Sequence, residues 1–177
     1  MNLQPSHVVI KGSEITPVLR AEILALCTRA YQVDFEVFYH TFIDPTHVLA
    51  YLDGKLVSHA LWVERWLQPQ GLPALRTAYV EAVATEPQYQ GRGLASGLLR
   101  FLATQIQAYD LGGLSPSAAS FYERLGWELW RGPLYIRAEA GRLPTPEEEV
   151  MILRLAGTPS LDLDTSLSAE WREGELW

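Results

Sequence analysis

The run Gln88-Tyr89-Gln90-Gly91-Arg92-Gly93-Leu94-Ala95 stands between a β-like segment and an amphipathic helical segment. Two glycines let a chain turn tightly and let a ligand come close to the backbone. A helix starting at such a turn presents unpaired N–H groups and about half a positive charge. The chemistry this suits is binding of phosphate or pyrophosphate, with Arg92 adding a cation. No Gly-Lys-Ser/Thr follows, and the third glycine of a dinucleotide fingerprint is missing. A lone Gly-x-Gly is structural as readily as functional.

Glu81 lies in a β-like run, Thr77–Thr85. Strand alternation puts Thr77, Tyr79, Glu81, Val83 and Thr85 on one face. The other face is small and apolar: Ala78, Val80, Ala82, Ala84. A carboxylate in a central strand needs a partner or water. Glu81 is therefore half of a structural ion pair or a general base. Tyr122, beside Phe121, is by spacing a core aromatic whose phenol has the chemistry of a general acid. Ser115 precedes Pro116 and suits a helix N-cap. Cys27, the single cysteine, forms no internal disulfide and reads as a small buried hydrophobe. His7, His40, His47 and His59 lack metal-ligand spacing, and no metal is expected.

The elements that must hold these residues follow from periodicity. His7–Lys11 reads as a first strand. Thr16 caps a helix with Pro17 at its first position and Leu19, Ile23, Leu26 and Ala30 on one face. Phe35, Phe38 and Phe42 form a second short helix ended by Pro45. His47–Leu52 and Leu56–Leu67 are strands joined by Asp53-Gly54, a tight-hairpin signal. Gly91–Tyr109 is the clearest helix, with Leu94, Leu98, Leu102 and Ile106 in register. Leu111–Leu114 follows, then a helix from Ser115 to Gly126, strands at Trp127–Arg131 and Val150–Leu155, and an alternating strand at Leu161–Trp171. Gly141–Pro146 reads as a linker. The pattern is an α/β (α+β) domain, one mixed central sheet with flanking helices over residues 1–177.

Two of these segments resemble a known superfamily. Gln88–Ala95 is similar to the acetyl-CoA pyrophosphate loop of the GNAT acyltransferases, and Ala118-Ala119-Ser120-Phe121-Tyr122 through Gly126-Trp127 to the helix and strand that follow it. A closer resemblance is to the aminoglycoside 2'-N-acetyltransferases. It covers Val33-Asp34-Phe35, Tyr79–Ala84, Asp110–Ser115, Trp130-x-Gly132-Pro133, Thr145–Glu149, and the ending Asp164-Thr165-Ser166 to Trp177. The spacing from Ser115 to Tyr122 is two residues short of that family, and Tyr39 replaces a second acid. The substrate is thus left open between kasugamycin and a gentamicin-like aminoglycoside.

The resemblance implies a GNAT fold with acetyl-CoA as co-substrate and transfer to an amine of an aminoglycoside, giving antibiotic resistance. It implies Glu81 as base, directly or through water, and Tyr122 as acid. It assigns Val83, Thr85, Gln88, Gly91, Arg92, Gly93, Leu94 and Ala95 to the cofactor, and Asp34, Glu81, Ser115, Glu148 and Trp177 to substrate. A homodimer is common in the family. Another small cationic amine as acceptor, or a catalytically silent acetyl-CoA sensor, are the competing readings.

Charge and length agree with this. The 177 residues hold 14 Lys+Arg against 21 Asp+Glu, net −7. Eight of the acids and two of the bases fall between Thr145 and Trp177. Nucleic acid is a poor partner for such a chain, and a small cation suits it. The first residues lack a signal-peptide pattern and no apolar run is of membrane length, so a cytoplasmic protein with no membrane partner is expected.

Overall fold

The computed structural model describes residues 4–177. In chain order the elements are β1 (Ser6–Lys11), α1 (Pro17–Tyr31), α2 (Glu36–Tyr39), β2 (Thr46–Leu52), β3 (Lys55–Pro69), β4 (Leu75–Thr85), α3 (Leu94–Gln105), β5 (Leu111–Leu114), α4 (Ala119–Glu123), β6 (Glu128–Leu129), β7 (Leu134–Ala138), β8 (Gly141–Pro144), β9 (Met151–Arg154) and β10 (Leu167–Glu170). They group into two compact units whose boundary falls within β3 and β4.

Among the described residues the first unit holds 4–63 and 80–104. Thr16 caps α1 as its chemistry requires, accepting the Leu19 amide at 3.2 Å. Gln32, with φ 58, ends that helix. Asp53 and Gly54 have φ 50 and 78, the left-handed pair that a two-residue hairpin needs between β2 and β3. β1 pairs antiparallel with β2, and β2 with β3. The core packs Ile23, Leu26 and Cys27 of α1 against Phe35, Leu49 and Ala84, with Phe38 and Phe42 alongside.

The second unit holds residues 64–79 and 105–177. β4 pairs parallel with β5, β5 antiparallel with β9, and β9 antiparallel with β6. β10 pairs antiparallel with β3 and parallel with β7, which pairs antiparallel with β8. Gly132 permits the closest approach here: an added Cβ would stand 1.8 Å from the Thr165 carbonyl oxygen. The amides of Arg131 and Gly132 both donate to the Leu163 carbonyl at 2.9 Å.

Several elements differ from expectation. The long helix begins at Leu94 rather than Gly91, because Gly91 and Gly93 hold φ 72 and 80, outside helical space. It ends at Gln105, and by Asp110 the amide already donates to the Arg76 carbonyl at 2.9 Å. Ser115 caps no helix; α4 starts at Ala119 with Ala118 at the cap position. Gly141–Pro144 is strand β8, not linker. The strand expected at Leu161–Trp171 shortens to Leu167–Glu170. Asp162 turns the preceding chain: its carboxylate accepts the Asp164 amide at 3.0 Å and its carbonyl the Thr165 hydroxyl at 2.8 Å. Leu167 and Ala169 are buried as the alternation requires, but the strand is covered on its other face too, so Ser168 is also buried, and Trp171, past its end, is exposed.

Candidate functional site

In the first unit the glycine turn is exposed backbone leading into α3. Gln88, Gly91, Arg92 and Gly93 are exposed. A Cβ on Gly91 or Gly93 would meet nothing within 4 Å, so the space beside the backbone is open. The Gly97 amide donates to the Gly93 carbonyl at 2.9 Å, which makes Gly93 the first acceptor of α3. The amides of Leu94, Ala95 and Ser96 are then the orphan donors of the first turn. Leu94 offers only this amide, since its side chain is buried. Arg92 lies over the Tyr89 ring at 5.5 Å, beside the turn. Donors, open space and a cation fit a pyrophosphate.

β4 leads into that turn with an irregularity the alternation did not anticipate. Ala82 has φ 52, left-handed for a residue with a Cβ. Such a residue costs on the order of 1–3 kcal/mol and persists only where its surroundings enforce it. The face shared by Thr77, Tyr79 and Glu81 therefore does not continue through Val83 and Thr85; Glu81, Ala82 and Val83 are all half-buried. Four successive carbonyls beyond Glu81 each accept a side-chain bond. Ala82 accepts from His59 Nδ1 at 2.9 Å, Val83 from the Tyr31 hydroxyl at 2.8 Å, Ala84 from Ser58 at 2.9 Å and Thr85 from Gln90 at 3.1 Å. The Thr85 hydroxyl also meets Ser58 Oγ at 2.8 Å.

Asp34 sits at the start of α2, where its carboxylate accepts the Glu36 amide at 3.1 Å. Glu36 is paired with Arg20 at 2.5 Å, and that guanidinium holds its carboxyl below the usual range. Cys27 is inert: burial pushes its thiol up to about 12. His47 and His59, which lack metal-ligand spacing, are both fully buried, and their pairing, His47 Nδ1 to His59 Nε2 at 2.9 Å, has no signal in the sequence. Burial lowers them to about 4 and about 3, so both are neutral at pH 7.

In the second unit Tyr122 is buried, with its ring edge-on to Phe121 at 5.0 Å and to Trp127 at 6.3 Å. Burial raises its phenol, against a hydrogen bond with Ser117 that lowers it, so the group stays protonated through neutral pH. Ser115 lies in the irregular segment before α4. Glu148 and Trp177 are brought together through one residue. The Trp177 indole donates to the Thr145 hydroxyl at 2.8 Å, and the Glu148 amide donates to the Thr145 carbonyl at 3.2 Å. Glu148 also lines an open cavity of about 450 Å³ with Trp130, Arg131, Tyr135 and Thr145. The chain ends buried: Trp177 is 4% exposed and its carbonyl oxygen accepts from Arg172 at 3.1 Å.

No group of three His, Cys, Asp or Glu among the described residues could hold a metal ion. No helix among them is long and apolar enough to cross a membrane.

Residues 13–130 match the family model of the acetyltransferase (GNAT) domain. A curated aminoglycoside 2'-N-acetyltransferase from Mycolicibacterium fortuitum is 30% identical, the match covering 96% of this chain and 90% of that one. A GNAT family N-acetyltransferase from Escherichia coli, solved in complex with CoA, superposes with TM-score 0.66 at 20% identity over 97% of this chain and 91% of its own. The ribosomal-protein-S18-alanine N-acetyltransferase from the same organism gives TM-score 0.53 at 17% identity, over 89% and 97%. At these identities the solved structures establish the fold, a mixed sheet with flanking helices.

Proposed function

Because the chain belongs to the GNAT acetyltransferases, and among them to the aminoglycoside 2'-N-acetyltransferase family, we propose that its acceptor is an aminoglycoside. It is an acetyl-CoA-dependent N-acetyltransferase. The observation that carries the substrate is the relative's similarity along nearly the whole chain. Acetylation of the drug would make the protein an antibiotic-resistance determinant, acting in the cytoplasm and, as the family commonly does, as a homodimer.

Acetyl transfer to an amine has four demands: the amine loses a proton, the carbonyl oxygen is stabilised, the thiolate is protonated and both substrates are aligned. Acetyl-CoA supplies the activated acyl group. In this reading the Gly91–Ala95 turn holds its pyrophosphate, with Gln88 and Arg92 beside it. Backbone groups of Val83 and Thr85 hold the pantetheine arm and the thioester oxygen. Glu81 takes the proton of the amine, directly or through water, and Tyr122 gives one to the departing thiolate. Asp34, Ser115, Glu148 and the Trp177 end bind the polycationic sugar, each charged contact being worth about 1.5–3 kcal/mol.

The test is thiol release from acetyl-CoA against a panel holding kasugamycin, gentamicin-like drugs and simple polyamines, with the acetylated nitrogen located in the product by NMR. A 2'-acetylated aminoglycoside is expected. Turnover confined to polyamines overturns the substrate. Thiol release by none of the acceptors, with acetyl-CoA still bound, favours a sensor.

A further inference from the structure

We propose that His59 is a positioning residue: its Nδ1–H holds the carbonyl of Ala82, and so the left-handed kink that aims Glu81 and Val83, while His47 fixes its tautomer. The inference rests on the role proposed above for Glu81.

The hydrogen-bond chain runs in one direction. A carbonyl only accepts, so His59 Nδ1, 2.9 Å from the Ala82 oxygen, carries the proton. In a neutral imidazole the other nitrogen, Nε2, is then an acceptor. Its partner at 2.9 Å, His47 Nδ1, must therefore donate. That leaves His47 Nε2 a bare acceptor, and it is a buried atom with no partner among the described residues. Cys27 Sγ, 3.6 Å from His59 Nδ1, remains a neutral thiol and competes weakly for the same proton. His47 is stacked on Tyr39 at 5.9 Å, which fixes its ring plane. Each histidine is thus locked in one orientation and one tautomer, an arrangement without purpose in a core that hydrophobes would fill.

What the chain terminates on gives it a purpose. Ala82 is the sole residue of β4 with positive φ. It lies between the residue proposed as base and the residue proposed to hold the cofactor arm. Without an anchor on its carbonyl an alanine returns to ordinary extended backbone, and the pleat beyond it changes phase. A shift of about 1 Å at a reacting group can cost ~100-fold in rate.

The experiment compares His59→Leu, His59→Asn and the double variant His59→Leu/Ala82→Gly, each checked for cooperative unfolding. Leucine removes the donor, and kcat is expected to fall ~10–100-fold, as misplacement of a reacting group does. Asparagine places an amide N–H near Nδ1 and should stay within about threefold of wild type. Glycine adopts positive φ without strain, so Ala82→Gly should restore part of the lost kcat. Hydrogen exchange of the amides from Glu81 to Thr85 should quicken in His59→Leu and slow again in the double variant. Wild-type kcat and wild-type exchange in folded His59→Leu overturn the proposal, as does an Asn variant as impaired as the Leu variant with no rescue by glycine. Two readouts stand apart from the role of Glu81. If Glu81→Gln proves fully active, the exchange pattern still decides whether His59 holds the kink. If His59→Leu does not fold, long-range ¹H–¹⁵N spectra of the wild type decide: a proton on Nδ1 of His59 is expected, and one on Nε2 overturns the proposal.

Discussion

The guanidinium of Arg65 lies over the indole of Trp177, 5.9 Å from its centroid, and its Nη1 donates to the carbonyl of Leu176 at 2.8 Å. The same group donates to the Glu170 carbonyl at 2.8 Å and to the Glu170 carboxylate at 3.2 Å, and faces the Tyr79 ring at 4.9 Å. Arg65 is 1% exposed. A buried cation with this many partners anchors the chain end, which would otherwise fray. Arg65→Met removes this donor from the Leu176 and Glu170 carbonyls and leaves the Glu170 carboxylate with the Trp66 amide at 3.0 Å. It should cost about 3 kcal/mol in urea unfolding, with Arg65→Lys intermediate because it lacks the forked geometry. A change below about 0.5 kcal/mol would show that the tail is held by its own packing.

Gly93 has φ +80 with open space where a Cβ would stand. Substitution is therefore opposed by backbone strain, not by collision inside the protein. Gly93→Ala should weaken acetyl-CoA about tenfold, from about 1–2 kcal/mol of strain at the turn. Gly54, with φ +78 and equally open space, is the control. Gly54→Ala carries the same strain in a hairpin and should lose stability without any change in acetyl-CoA affinity. Calorimetric titration of both variants reads the difference. Equal affinities would remove the pyrophosphate assignment.

Much of this was legible in the sequence, and the exceptions share a cause. The Thr16 cap, the Asp53-Gly54 turn and the Gly91/Gly93 loop are local, each signalled by residue type within a few positions. Gly141–Pro146 reads as a linker because its pairing with Leu134–Ala138 is fixed by the sheet and not by its own composition. The His47–His59 pair was not legible. It needs the β2–β3 register, in which Leu49 faces His59 and His47 faces Leu61, making the two histidines diagonal neighbours. Arg65 and Leu176 are separated by 111 positions, and nothing in the tail announces its anchor.

Glu81→Gln should lower kcat ~100-fold at neutral pH, as for a lost general base, and leave acetyl-CoA affinity unchanged. Tyr122→Phe should also slow turnover while keeping the ring contacts with Phe121 and Trp127. Its stability should change by less than about 1.5 kcal/mol, the value of the bond to Ser117. Steady-state kinetics beside thermal unfolding separate the effects. A Glu81→Gln enzyme with full activity and an unaltered pH–rate profile would make that carboxylate structural.

The buried histidine pair also fixes a pH dependence of stability. Burial lowers His47 to about 4 and His59 to about 3, with the charge of His47 further lowering His59. Unfolded, both return to about 6.5. Between these values the unfolded chain binds more protons than the folded one, so stability rises with pH there. The contribution is present above about pH 6.5 and lost as pH falls toward the folded values. Each proton difference is worth about 1.4 kcal/mol per pH unit, so the pair should cost on the order of 3 kcal/mol between about pH 7 and pH 5. Unfolded carboxylates titrate mostly below that window, which leaves the histidines to dominate it. His7 is lowered by burial as well and adds to the wild-type slope. The groups around the pair, the Cys27 thiol and the Tyr39 phenol, are both raised by burial and take no part at these pH values. His59→Asn removes one of the two uptake steps and should lose roughly half as much from the pair over the same range. Urea unfolding of both proteins across the window measures it. Parallel curves would mean that the folded state takes up the proton at His59 without penalty, in conflict with the buried, directional chain from His47 to Ala82.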